Sequence, residues 1–238
     1  MPAQTIAPLI DKHKDEKRWL ILGNGTSINE YSAEALKGFD GITIGNNRIC
    51  DMARSGRAFV PRYYVNVELK PFYYFPFLEE MIKNGDIENY ICGQGSREAR
   101  EFARYYMKHT QPRHQWVTEK GESAAWNGTS LFMSLSLAYM MGMGEGSTCY
   151  IVGIDYCLNP DTEECYFTGE PTNPASFYLD ENNGLRKAGE KSWFDAFTHL
   201  QSIGVDVVDL SPFGKLTTFG GPGIRKGNLD ESRTPASA

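Results

Sequence analysis

The chain contains no apolar run approaching the roughly 18 residues that a membrane helix needs. Its opening residues lack the charged-then-apolar pattern of a secretory leader, so a soluble, cytoplasmic protein without membrane insertion is expected. Five cysteines occur with no CxxC pair and no Cys/His cluster, which argues against a zinc ribbon and a disulfide framework. Cys50, Cys92 and Cys149 lie in or beside apolar runs and read as small buried thiols; Cys157 and Cys165 are also read as thiols, with pairing across a loop the minor alternative. A basic excess is missing too: 24 Lys and Arg against 30 Asp and Glu leave a net charge of −6. That balance argues against a dedicated nucleic-acid binder, although a local basic groove is compatible with it. There is no Walker lysine, no completed GxGxxG, no internal repeat, and no histidine between 157 and 191.

What is present is an alternation. Short runs rich in Val, Ile and Tyr fall at 19–23, 41–46, 63–68, 89–93, 149–155 and 205–210, each bounded by Gly, Asn or Asp. Helical patterns lie between them at 32–39, 71–85, 96–109, 129–142 and 192–204. Strands alternating with helices of this length predict an α/β fold with a mostly parallel sheet and helices on both faces. With 41% hydrophobic residues, one large domain over 18–219 is expected. Residues 1–17 read as a flexible lead-in, 157–191 as a long Pro-, Asn- and Gly-rich lid loop, and 220–238 as a disordered tail.

Ligands of such sheets bind outside the carboxyl ends of the strands, which sorts the candidate residues. The first strand ends in Gly23-Asn24-Gly25, followed by Thr26 and Ser27. Two glycines allow a tight turn and close backbone approach to an anion, and a following helix start offers free amides. An ordinary strand–helix turn capped by Ser27 is the plainer alternative. The next strand ends carry Asn46 and Asn47, then Asn66 and Glu68, forming an amide-rich rim rather than a charged one. Turn-forming asparagines are the competing explanation. Thr129 and Ser130 open the 129–142 helix pattern, either as a second phosphate contact or as a capping pair, and Gly142 suits its C-cap. Asp155 ends a strand as Gly-Ile-Asp, where it suits a ribose hydroxyl, a divalent cation or the cap of the next turn. The segment 96–109 reads as a basic helix that is most simply a solvated face; contact with an anionic acceptor is left open.

The stretches LILGNGTSINEYSAEALKGFDGITIGNNRI, NGTSLFMSLSLAYMMGMG and YIVGIDY resemble the bacterial sialyltransferases of glycosyltransferase family 42. They resemble equally the related MptE-like and motility accessory factor group. The likeness covers about residues 18–68 and 124–157. It implies a Rossmann-like fold with a lid over a cytidine-monophosphate sugar. Carried over, Asn24 would contact the phosphate, Asn46 the nucleotide, Asn47 the sugar or the nucleotide, Asn66 the donor sugar, and Thr129 with Ser130 nucleotide or sugar. The family steadies its leaving phosphate with tyrosine hydroxyls and uses no metal. Cys157 stands where one tyrosine is expected, leaving Tyr156 and Tyr166 as candidates. Asn127 replaces the family's arginine, and its lid histidine has no counterpart. The candidate bases are therefore His109 and His114, with Asp180, Glu181 and Glu190 behind them; His199 reads as a packed or surface histidine.

The expected function is transfer of a sugar from a CMP- or UDP-type nucleotide sugar to an acceptor hydroxyl, on a glycan, a protein or a modified nucleobase. No cofactor is expected for that reaction. The alternative is an MptE-like pyrophosphokinase acting on a pterin-like alcohol, which would require Mg²⁺ and clustered carboxylates, with Asp155 and Glu68 as the placed candidates. A nucleotide-binding module without turnover is a third reading. Self-association into a homo-oligomer is left open.

Overall fold

Residues 19 to 22 are apolar on both sides of the strand, and that dictates where they sit. Parallel strands covered on both faces carry continuous rather than alternating apolar runs. In the computed structural model, which describes residues 3–52, 59–109, 115–125, 129–155, 161 and 184–232, this run lies in the strand β2 (Arg18–Leu22) at the middle of the sheet. Trp19 and Ile21 enter one core, and Leu20 and Leu22 the opposite one. The other strands are β1 (Gln4–Thr5), β3 (Ile42–Asn46), β4 (Tyr63–Asn66), β5 (Tyr90–Gly93), β6 (Tyr105–His109), β7 (Ser123–Ala124), β8 (Thr148–Val152), β9 (Asp206–Asp209) and β10 (Arg225–Lys226). Their order is β1-β6-β5-β4-β3-β2-β8-β9-β10, with β7 on β6, and every pairing among the described residues is parallel. From β2 the chain moves outward through β3, β4 and β5, then crosses back to add β8 on the other side of β2. The reversal puts a topological switch point between β2 and β8, and the architecture is Rossmann-like.

One face is covered by α5 (Ser130–Met141) and α6 (Gly184–Ser202). The other carries α1 (Ala33–Lys37), α2 (Cys50–Met52), α3 (Pro71–Tyr74) and α4 (Pro76–Lys83). A short α7 (Leu216–Phe219) comes after β9 and packs on α6. α5 is apolar all round and buried along nearly its whole length, as befits a helix enclosed by the sheet, α6 and the N-terminal segment. It ends at Gly142 (φ 126°), where a Cβ would lie 2.5 Å from the backbone of Lys14.

Five expectations are corrected. The N-terminal stretch is no loose lead-in: Ile6 and Leu9 are fully buried, and β1 pairs with β6. The amides of Asp11 and His13 donate to the carbonyls of Met140 and Met141, satisfying the orphan acceptors at the α5 C-terminus. The basic segment at 96–109 is not a helix but a single 3-10 turn (Ala99–Glu101) followed by β6. Tyr105 and Met107 enter one core while Tyr106 packs on the other, the period of a strand. Arg100 stacks on the Tyr106 ring at 4.3 Å and Arg104 on that of Tyr105 at 5.6 Å, so these cations serve the sheet edge. The expected 71–85 helix is split at Phe75 (φ −133°, ψ 74°), because a residue before proline is driven out of the helical region. α6 starts at Gly184, so helix takes the end of the expected lid, including Glu190, which pairs with Arg186 at 2.8 Å. The rest of that expected lid, residue 161 apart, lies outside the described residues. Finally, residues 225–226 of the expected disordered tail form β10, and Leu229 is buried. Lys226 Nζ holds them there, donating to Asp209 (2.7 Å) and to the carbonyls of Ser211 and Gly214.

Candidate functional site

The switch point is where the Gly-Asn-Gly turn meets the Gly-Ile-Asp turn. Gly23 donates to the Val152 carbonyl (2.8 Å) and Gly25 to that of Gly153 (3.0 Å), so the pairing of β2 and β8 runs on past the strands. A Cβ on Gly23 would stand 2.3 Å from the Gly153 oxygen, and one on Gly25 2.4 Å from an Asp155 oxygen. Gly153 itself has φ 77°. The glycines therefore allow the two turns to lie against each other.

Asp155 reaches under the first turn. It is 3% exposed, and its oxygens accept from the Ser27 amide (2.9 Å), the Ser27 hydroxyl (2.5 Å) and, weakly, the Thr26 hydroxyl (3.5 Å). Ser27 Oγ accepts in turn from the Gly153 amide at 3.0 Å. Burial raises the Asp155 pKa, and the bonds from Ser27, Ser211 and Thr26 oppose that rise. The turn that reads from sequence as a cradle for phosphate thus has its inward amide taken by the chain's own carboxylate. The turn leads into a 3-10 segment (Thr26–Glu30), not a long helix, so there is little macrodipole to offer an anion.

The amide rim lies next to it, across the ends of β2, β3 and β4. Asn24 Nδ2 donates to Asn46 Oδ1 (3.2 Å), and Asn24 Oδ1 accepts from the Arg48 amide (3.0 Å). Asn46 Nδ2 donates to the Leu22 carbonyl (2.9 Å). Asn66 Nδ2 donates to Asn47 Oδ1 (3.1 Å), and Asn66 Oδ1 accepts from the Glu68 amide (2.9 Å). Asn46 and Asn66 are fully buried, whereas Asn24 and Asn47 are partly exposed. The first pair buttresses and the second faces outward. Asn47 has φ 46°, a left-handed conformation that few residues besides glycine and asparagine adopt readily. Two buried groups fix it there: the Tyr64 hydroxyl and the Cys50 thiol both donate to its carbonyl. Sequence reasoning had no means to find either, since a tyrosine within a strand and a cysteine opening a short helix read as ordinary core. Desolvation pushes the Cys50 thiol up to about 12, so it is a donor here and not a nucleophile.

Thr129 caps α5, its Oγ1 accepting from the Phe132 amide at 3.2 Å. Ser130 is buried, and its Oγ accepts from the Val67 amide at 3.3 Å, tying the start of α5 to the end of β4. The structure thus brings together Gly23, Asn24, Gly25, Ser27 and Asp155 at one turn, and Asn46, Asn47, Asn66 and Ser130 along one rim. Tyr156, Tyr166, His114, Asp180 and Glu181 lie outside the described residues, as does the side chain of His109, whose backbone ends β6. His199 packs among Trp116 and Tyr139, as a core-facing histidine would. Glu68 is half-buried, with its carboxylate pKa raised by burial. Among the described residues no group of three or more His, Cys, Asp or Glu is placed to hold a metal ion, and Asp155 is already committed to Ser27. The described residues therefore do not fit the clustered carboxylates that the pyrophosphokinase alternative would require. No described helix is long and apolar enough to cross a membrane.

No family model and no curated protein matches the sequence. Among solved structures, the fold is similar to a MAf glycosyltransferase from Magnetospirillum magneticum AMB-1, at 15% identity and a TM-score of 0.47 over 68% of this chain. The chain spans 26% of the length of that protein. It is also similar to a short-chain dehydrogenase/reductase from Burkholderia multivorans with bound NADP, at 14% identity and a TM-score of 0.33, covering 91% of this chain and 87% of that one. Likenesses this distant carry no functional weight, and the Rossmann-like assignment stands on the strand order itself.

Proposed function

We propose that the chain binds a CMP- or UDP-type nucleotide sugar across the ends of β2, β3 and β4 and transfers the sugar to an acceptor hydroxyl. The observation that carries this reading is Asn47, held left-handed by a buried tyrosine and a buried thiol while its side chain is steadied by Asn66. A residue kept in a sparsely populated conformation by groups that over-determine it is a mark of a preorganised site. Asn47 Nδ2 has no hydrogen-bond partner among the described residues, which leaves its two N–H groups for a ligand oxygen. Asn24 presents a second amide from the adjoining strand end, and the capped start of α5 adds helix-terminal amides at the same edge. Neutral donors of this kind suit the hydroxyls of a sugar and the oxygens of its phosphate linkage, and the turn where a dinucleotide pyrophosphate usually sits has its inward amide taken by Asp155. Catalysis would rest on positioning and on stabilising the departing phosphate.

Thermal shift against CMP, CDP, UDP, GDP and ATP, with and without Mg²⁺, tests the reading, since a ligand of the native state raises the melting temperature. CMP or UDP is expected to stabilise without metal. Asn47→Gly keeps the backbone at ease but takes the acceptor from the buried Asn66 amide, so a stability loss of about 1–3 kcal/mol is expected with the fold retained. Loss of one ligand hydrogen bond should weaken that nucleotide about tenfold. Stabilisation by ATP with Mg²⁺ alone, or equal affinity in Asn47→Gly, would refute the proposal.

A further inference from the structure

We infer that Glu68 is the general base of this site, taking the proton of the acceptor hydroxyl; the inference rests on the transferase reading above. Its backbone is pinned where the rim ends. The Glu68 amide donates to Asn66 Oδ1 (2.9 Å), and the preceding amide, that of Val67, donates to Ser130 Oγ (3.3 Å). Both anchors are themselves parts of the rim, so whatever orders the asparagines for a ligand also orders Glu68. Its carboxylate is half-buried and has neither a hydrogen bond nor an ion pair among the described residues. Carboxylates held for structure elsewhere in this chain are engaged: Asp155 by Ser27, Asp209 by Lys226, Glu122 by Lys108. A carboxylate kept partly out of water with no partner is costly unless it has a task.

Of the candidate bases read from the sequence, Glu190 is paired with Arg186, while the His109 side chain, His114, Asp180 and Glu181 lie outside the described residues. The two histidines with described side chains are engaged. His13 Nε2 is bonded to the Tyr63 hydroxyl at 2.7 Å, at the far end of β4 from the rim, and His199 sits against Trp116 and Tyr139. Burial alone raises the Glu68 pKa, and no described cation or anion contributes, so the group moves toward the range where a base works near neutral pH. In the step, the acceptor oxygen forms a bond to the anomeric carbon as the bond from that carbon to the phosphate oxygen breaks. The electron pair leaves with the nucleotide, and the hydroxyl proton passes to the Glu68 carboxylate and from there to solvent. With water as acceptor the same step is donor hydrolysis.

Two measurements on the full chain test this. The first is a carboxyl ¹³C NMR titration of Glu68, assigned by its loss in Glu68→Gln, with and without CMP or UDP. A nucleotide phosphate within reach should raise the Glu68 pKa by about one unit or more, through like-charge repulsion. The second is release of nucleotide from CMP-N-acetylneuraminate and UDP-N-acetylglucosamine as a function of pH. The parent should lose rate as pH falls through the Glu68 pKa. Glu68→Gln should lose that acid limb and about 10²–10⁴-fold in rate while binding the nucleotide as before. If neither CMP nor UDP binds the parent, the site reading fails and this inference falls with it. If one binds but the Glu68 pKa does not move, or Glu68→Gln keeps the rate and the acid limb, the inference alone is overturned.

Discussion

Asp155→Ala is the substitution whose effect can be worked out most fully. It removes the acceptor of the Ser27 amide at 2.9 Å and of the Ser27 hydroxyl at 2.5 Å, and it releases Thr26. Hydrogen bonds to a charged acceptor contribute about 1.5–3 kcal/mol each, so the two short ones amount to roughly 3–6 kcal/mol. Burying the carboxylate offsets part of this, as its raised pKa records, and a net loss of about 3 kcal/mol is expected. In a chain of this size each kcal/mol moves the melting temperature by roughly 2–4 °C, so a drop of about 6–12 °C should appear in thermal denaturation followed by circular dichroism. Asp155→Asn keeps the volume and one acceptor, and should lose about half as much. The pH dependence has a definite sign. Because the folded pKa lies above the ordinary 3.8, the contribution of Asp155 is complete below that value and declines as pH rises through the folded pKa. The gap between parent and Asp155→Ala should therefore narrow on going upward from about pH 4, then level off. A drop under about 2 °C, or a gap that widens with pH, would refute the placement of this carboxylate under the turn.

Gly153→Ala should be among the most damaging single-methyl changes in the chain, since the new Cβ would lie 2.7 Å from the Gly23 backbone at a φ of 77°. Overpacking and left-handed strain together predict a loss of about 3 kcal/mol, read by urea denaturation; tolerance of alanine would mean that the two turns do not touch. His13, which bonds Tyr63, has its pKa lowered by burial and then by Arg62 and Lys12. Its contribution to stability is present above the ordinary 6.5 and lost as pH falls through the folded value, so melting temperature should decline on acidification and His13→Gln should flatten that slope.

Much of the fold arises from local pattern. The runs that became β2, β3, β4, β5, β8 and β9 are apolar, short and bounded by turn residues, and each was legible as a strand of a covered parallel sheet. The ends of α5 were legible for the same kind of reason: Thr129 is a capping residue, and Gly142 accepts a positive φ. So was the coincidence of asparagines at three strand ends, because strands that alternate with helices bring their carboxyl ends to one edge. Tyr105 and Tyr106 mark the limit of local pattern. Their charged neighbours imitate a helix face, and only the β5 edge decided for a strand. The roles within the site were decided in the same way, by contacts between distant parts of the chain. Asp155 meets Ser27 across 128 positions, Ser130 meets Val67 across 63, and Tyr64 meets Asn47 across 17. A period or a cap can be read along a sequence because it depends on neighbours in the chain. Whether an amide is free for a ligand or spent on the protein depends on neighbours in space, and only the packed sheet supplies those.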